Sequence, residues 1–211
     1  MKTRIITVIS TLAICLGTAS CSIGNGQAEG KALGLYNDLL KKVISGEEMF
    51  SDAGEGYEYK DAKEPGYALY DIDKDGMDEL FITPDIGEEW HTYSVYYIKD
   101  DNVIRARALN GYIPDKDCWT YSFDFFVEGY TYKGDGDFAR IWELDYLWVD
   151  GYEVNTINYE GQEPREIKEE ELKELLSGHI TEPEDLVWMP IRQDTDLRKE
   201  AIKMHCRATH L

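Results

Sequence analysis

The chain of 211 residues carries 42 acidic against 22 basic side chains, a formal net charge of -20, and its length suffices to bury the core of one domain. Its aromatic content of 12% is too high for an unstructured acidic tail. A charge of this sign repels phosphate backbones, which excludes general nucleic-acid binding, and attracts divalent cations.

Residues 1–20 read as a signal peptide: basic Lys2 and Arg4, an apolar stretch from Ile5 to Gly17, and small residues ahead of Cys21. The apolar stretch is shorter than the roughly 20 residues that a membrane-crossing helix needs. Thr18-Ala19-Ser20-Cys21 resembles a bacterial lipobox. That resemblance implies a lipid on Cys21 and an extracytoplasmic domain anchored to the cell membrane, with cleavage at Gly17-Thr18-Ala19 and full secretion as the alternative. Residues 21–31, polar and rich in Gly, read as a flexible tether to a single domain over 32–211. Cys15 leaves with the signal, so Cys118 and Cys206 are a possible disulfide; two free thiols are the equal alternative.

From Ala32 to Ser45 the apolar residues Leu35, Tyr36, Leu39, Leu40, Val43 and Ile44 recur at three- and four-residue spacing, which predicts an amphipathic helix stopped by Gly46 and packed on a sheet. Residues 51–66 read as a loop. Short aromatic and β-branched runs then predict antiparallel strands over 66–70, 79–83, 92–98, 103–109, 119–127, 138–149 and 153–159, punctuated by turn residues such as Gly134-Asp135-Gly136 and Asp150-Gly151. Within the run 140–149, Trp142, Leu144, Tyr146 and Trp148 share one face, expected to be core. A second helix is expected over 167–177 and a short strand over 186–191. A last helix, capped by Asp194 or Thr195, is expected to reach about Cys206. The fold class is α+β: an antiparallel meander of about seven or eight strands with an N-terminal helix and one or two C-terminal helices.

The most informative segment joins two of these strands. Asp71, Asp73 and Asp75 with Gly76 match the front half of an EF-hand loop, where alternate carboxylates converge on a hard cation and Gly permits the sharp turn. Position 12 of such a loop is Ile82, which cannot coordinate, whereas Glu79 at position 9 can close the shell. The pattern DxDxDGxxE between strands resembles the calcium loops of integrin-type FG-GAP repeats and of small bacterial surface proteins. By that resemblance the ligands of a structural Ca²⁺ are the side chains of Asp71, Asp73, Asp75 and Glu79 and the backbone carbonyl of Met77, with Asp78 pointing outward. Signal, lipobox, the early helix, the phrase YALYDIDKDGMDELFI and the late EGQEPREIKEEEL segment together look like the small lipoproteins of Gram-positive gut bacteria, a family that implies no particular activity.

Other candidate chemistry is thinner. Glu143 and Asp145, two apart on one strand, are spaced like a glycosidase acid/base pair, but a solvated strand face explains them as well. His205, Cys206 and His210 form too sparse a set for a closed soft-metal site. His91, beside Trp90, reads as an exposed loop residue. Trp90, Trp119, Trp142 and Trp148 are candidate stacking platforms for sugar rings, unless they belong to the core. The common hydrolase and nucleotide motifs are absent. The expectation is a non-enzymatic surface module with a glycan or protein ligand, a carbohydrate-binding module being the alternative and a hydrolase built on Glu143 and Asp145 a third reading.

Overall fold

The structure, a computed structural model, describes residues 23–51, 56–87, 92–123, 126–149, 152–180 and 182–200. Residues 1–22, which include the expected signal peptide and Cys21, together with Trp90, His91, His205, Cys206 and His210, lie outside the described residues, and so does the side chain of Trp148. No described helix is long and apolar enough to cross a membrane.

The class is α+β, as expected. Helix α1 spans Ile23–Ser45. A small ribbon pairs β1 (Phe50–Ser51) with β2 (Gly56–Tyr57). β3 (Gly66–Tyr70), β4 (Glu79–Thr83), β5 (Tyr93–Lys99) and β6 (Asn102–Leu109) follow as a meander. β7 (Gly111–Ile113), β8 (Cys118–Phe123), β9 (Phe126–Tyr132), β10 (Phe138–Val149), β11 (Tyr152–Tyr159) and β12 (Arg165–Glu166) form a second one. Helix α2 (Glu169–Leu175) and β13 (Met189–Pro190) complete the chain, and residues 197–200 are again helical. The meander therefore divides into two antiparallel sheets. One has the order β13-β3-β4-β5-β6, the other β12-β11-β10-β9-β8-β7.

Four layers result, because β3, β4, β5 and β8 put buried side chains on both of their faces. Leu80 and Ile82 of β4 join Tyr67, Tyr96 and the α1 residues Tyr36, Leu40 and Val43 in one cluster; Phe81, between them in sequence, faces the other way. Phe81 packs with Ala68, Tyr93, Val95 and Leu109 against Trp119, Tyr121, Tyr130 and Phe138, which fills the space between the sheets. Beyond the second sheet, Ile113, Cys118, Trp142, Leu144 and Ile157 meet Ile167 and, from α2, Leu172 and Leu175. Each side chain fully withdrawn from water in these clusters contributes roughly 1.5–3 kcal/mol. Two-sided burial also explains why β4 reads as a continuous apolar run where a half-solvated strand would alternate.

Several local features depart from the sequence expectation. Residues 23–31 are helical and not a flexible tether, since α1 extends back to Ile23 with no proline to stop it. The run 119–127 is the hairpin β8–β9, in which Phe123 pairs with Phe126. The two residues between them in sequence, Asp124 and Phe125, include neither Gly nor Pro to break the aromatic run. The last helix is capped by Asp196 and not by Asp194 or Thr195: Asp196 Oδ1 accepts from the N–H of Arg198 at 3.2 Å, while the Thr195 hydroxyl oxygen accepts from Arg192 N–H. Trp142 is buried because Gly129, opposite it on β9, leaves room for its ring; a Cβ there would stand 2.1 Å from it. Helix α1 ends as expected, with Gly46 at φ +79 and Glu47 N–H returning to the Lys42 carbonyl at 2.9 Å.

Candidate metal centre

The loop between β3 and β4 holds the three aspartates together. Asp71, Asp73 and Asp75 each offer a carboxylate oxygen, and these oxygens all lie within 4.8 Å of one another. Two oxygens that share one Ca²⁺ at 2.3–2.6 Å lie at most about 5 Å apart, so the spacing fits a single ion. The loop's own amides aim the carboxylates. Asp71 accepts from Asp75 N–H through Oδ1 at 3.1 Å and from Gly76 N–H through Oδ2 at 2.9 Å. Asp75 accepts from Met77 N–H at 2.7 Å, and Asp73 from Asp75 N–H at 3.3 Å. Gly76 sits at φ +91, a backbone conformation open to glycine and strained for other residues.

This donor set is hard oxygen carried on neighbouring like charges, which suits a divalent cation of the calcium or magnesium type. Asp73 is held above the usual carboxylate range, first by desolvation of its carboxyl and then by the charges of Asp75 and Asp71. The desolvation arises although the residue as a whole is exposed, because the turn after β9 stands over it: a Cβ on Gly134 would lie 3.3 Å from Asp73 Oδ2.

Glu79 opens β4 and is buried. Its Oε2 accepts from the N–H of Ile72 at 3.0 Å and its Oε1 from the Tyr132 hydroxyl at 3.0 Å. Burial pushes its carboxyl up to about 7, with the Asp73 charge adding to the rise and both hydrogen bonds opposing it. The Tyr132 oxygen in turn accepts from Gly136 N–H at 3.0 Å. On the opposite side the Tyr36 hydroxyl of α1 donates to the Asp78 carbonyl at 3.1 Å, while the Asp78 side chain is exposed. The loop thus touches α1, its own sheet and the second sheet. Tyr132 and Gly134 were not legible as its neighbours; the only signal was the Gly134-Asp135-Gly136 stretch, which reads as an ordinary turn.

The other candidates are placed differently. Glu143 is ion-paired with Arg140 and, like Asp145, is half-buried on β10. Trp119 and Trp142 are core residues, 2% and 3% exposed, so neither is a platform for a sugar ring. Cys118 is a buried free thiol whose Sγ lies 3.6 Å from the Trp119 carbonyl, and burial pushes its pKa up to about 11; its suggested partner Cys206 lies outside the described residues. No protein-family model matches the chain, and no curated protein or solved structure is significantly similar to it.

Proposed function

We propose that the chain is an extracytoplasmic lipoprotein, anchored through a lipid on Cys21, whose four-layered domain is a non-enzymatic binding module stabilised by Ca²⁺. The metal ligands in this reading are the carboxylates of Asp71, Asp73, Asp75 and Glu79 and the Met77 carbonyl. The observation that carries it is the convergence of three aspartate oxygens, aimed by loop amides, with no lysine or arginine ion-paired to them among the described residues. The role is structural and not signalling, since extracellular calcium modules bind at roughly 10⁻⁴–10⁻³ M and stay loaded outside the cell.

Thermal melts with excess calcium or chelator, on the wild type and Asp73→Ala, test the metal. The wild type is expected to melt several degrees higher in calcium and the variant to ignore it; identical melts in all four samples would refute the site. Mass spectrometry of the membrane-bound protein tests the anchor, an unmodified Cys21 being the adverse result.

A further inference from the structure

The turn between β9 and β10, residues 133–137, belongs to the second sheet yet meets the aspartate loop of the first. Its own backbone closes it: Asp137 N–H returns to the Gly134 carbonyl at 3.0 Å, and Lys133 N–H to the Asp137 carbonyl at 2.8 Å. Gly134, Asp135 and Gly136 all take positive φ, +89, +51 and +74, and the two glycines let the chain come close to its neighbours. A Cβ on Gly136 would stand 2.1 Å from the Tyr97 ring of β5, and one on Gly134 would stand 3.3 Å from Asp73 Oδ2.

Tyr132 leads into this turn. Its ring packs on Phe138, centroids 4.8 Å apart. The hydroxyl oxygen accepts from Gly136 N–H at 3.0 Å, which leaves the O–H to donate to Glu79 Oε1, 3.0 Å away. Glu79 is 7% exposed, and its Oε2 receives the N–H of Ile72 at 3.0 Å. Each oxygen of this carboxyl thus has one donor, and of the roughly four lone-pair sites of a carboxylate two stay open to a cation. The aspartates are aimed by amides of their own loop. Glu79 takes half of its support from a residue 53 positions away in the other sheet.

We infer that Tyr132 is a positioning residue of the metal centre: it orients Glu79 toward the ion, and through it the β9–β10 turn sets how tightly the β3–β4 loop holds calcium. The inference rests on the reading of that loop as a calcium site and adds to it a residue that touches no metal. Such coupling is reciprocal, so a turn that tightens calcium binding is itself held more firmly once calcium is bound.

Calcium titration calorimetry on the full-length protein in detergent micelles tests the assignment, using the wild type, Tyr132→Phe, Glu79→Gln and the double variant. Tyr132→Phe deletes one hydroxyl and keeps the ring against Phe138; it should weaken calcium binding about tenfold or more, as the loss of a partner behind a ligand generally does. Because Tyr132 acts through Glu79, the same change made on top of Glu79→Gln should alter the affinity less than about twofold. Hydrogen exchange over residues 132–137, read by mass spectrometry, decides independently of affinity: the wild-type turn should exchange more slowly in calcium than in chelator, and Tyr132→Phe should lose most of that difference. Calcium affinity unchanged in Tyr132→Phe, a weakening that persists in full on Glu79→Gln, or a wild-type turn whose exchange is indifferent to calcium would each overturn the inference and leave the calcium site standing. A wild type that takes up no calcium would remove both.

Discussion

The β3–β4 loop and the β6–β8–β9 seam are both made of charged side chains, and they balance those charges differently. In the loop, carboxylates crowd one another and the donors that reach them are backbone N–H groups of the loop itself. At the seam Glu128 is bracketed by Arg107 and Arg140 and nearly buried, with 14% of its side chain exposed. The first arrangement has negative charge to spare and calls for a cation. The second supplies its own counter-ions, Glu128 and Glu143 facing Arg107 and Arg140. Net charge, which is strongly negative for the whole chain, conceals this division, because the local balance decides what each region can bind.

The comparison is most severely tested by removing the carboxylate that holds the seam together. Glu128→Ala leaves two guanidiniums facing each other and should cost about 2–3 kcal/mol, less than a fully buried pair would because both arginines are partly solvated; urea unfolding measures it, and a loss below 1 kcal/mol would mean that solvent already neutralises the seam. The loop should show the reverse behaviour with pH. Glu79 titrates near 7 in the folded protein against 4.5 for a free carboxyl, so the native state keeps a proton that the unfolded chain releases between those values. In chelator, stability should rise as pH falls from about 7 to 4.5, by on the order of 1–3 kcal/mol, and level off below. Bound calcium favours the carboxylate and should flatten that slope, as should Glu79→Gln; melting curves across the window decide, and a slope unchanged in the variant would assign it to other groups.

Calcium removal itself, at neutral pH, should cost about 1–3 kcal/mol when the ion is present at ten to a hundred times its dissociation constant. A midpoint in chelator equal to that in calcium would place the loop beside the seam as a region already neutralised. The smallest effect is expected at the half-exposed Arg140–Glu143 pair: Glu143→Gln should change stability by less than about 1 kcal/mol. A much larger loss would make Glu143 a full member of the seam's ionic network.

Much of the fold could be read from residues. The spacing of Tyr36, Leu39, Leu40 and Val43 marks the buried stripe of α1, and the bounds of β3 and β4 coincide with the apolar runs that flank the aspartates. What escaped is the division into two sheets, because the pattern of a strand covered on both faces reports burial and not which neighbour provides it. The same limit applies to the aromatics. Trp119 and Trp142 have the composition of a stacking platform, and only the opposing Gly129 and the inter-sheet cluster make them core. At the sites, the three aspartates are contiguous and were legible, whereas Tyr132 reaches Glu79 across 53 residues and Arg107 reaches Glu128 across 21. Local spacing carries no trace of such pairs.

The brief pairing of Met189 and Pro190 with Tyr67 and Gly66 has a consequence for how the chain tolerates being shortened. Those two residues cover the outer border of β3, which would otherwise present bare amide and carbonyl groups along a flat apolar strand, and Pro190 has no N–H with which to extend the pairing further. A proteolytic cut ahead of residue 189 would strip that cover while leaving most of the core intact. The product would also lose Ile191 and Leu197 from the cluster under α1, and its newly opened border would recruit other copies side by side, so that clipping would show first as loss of solubility.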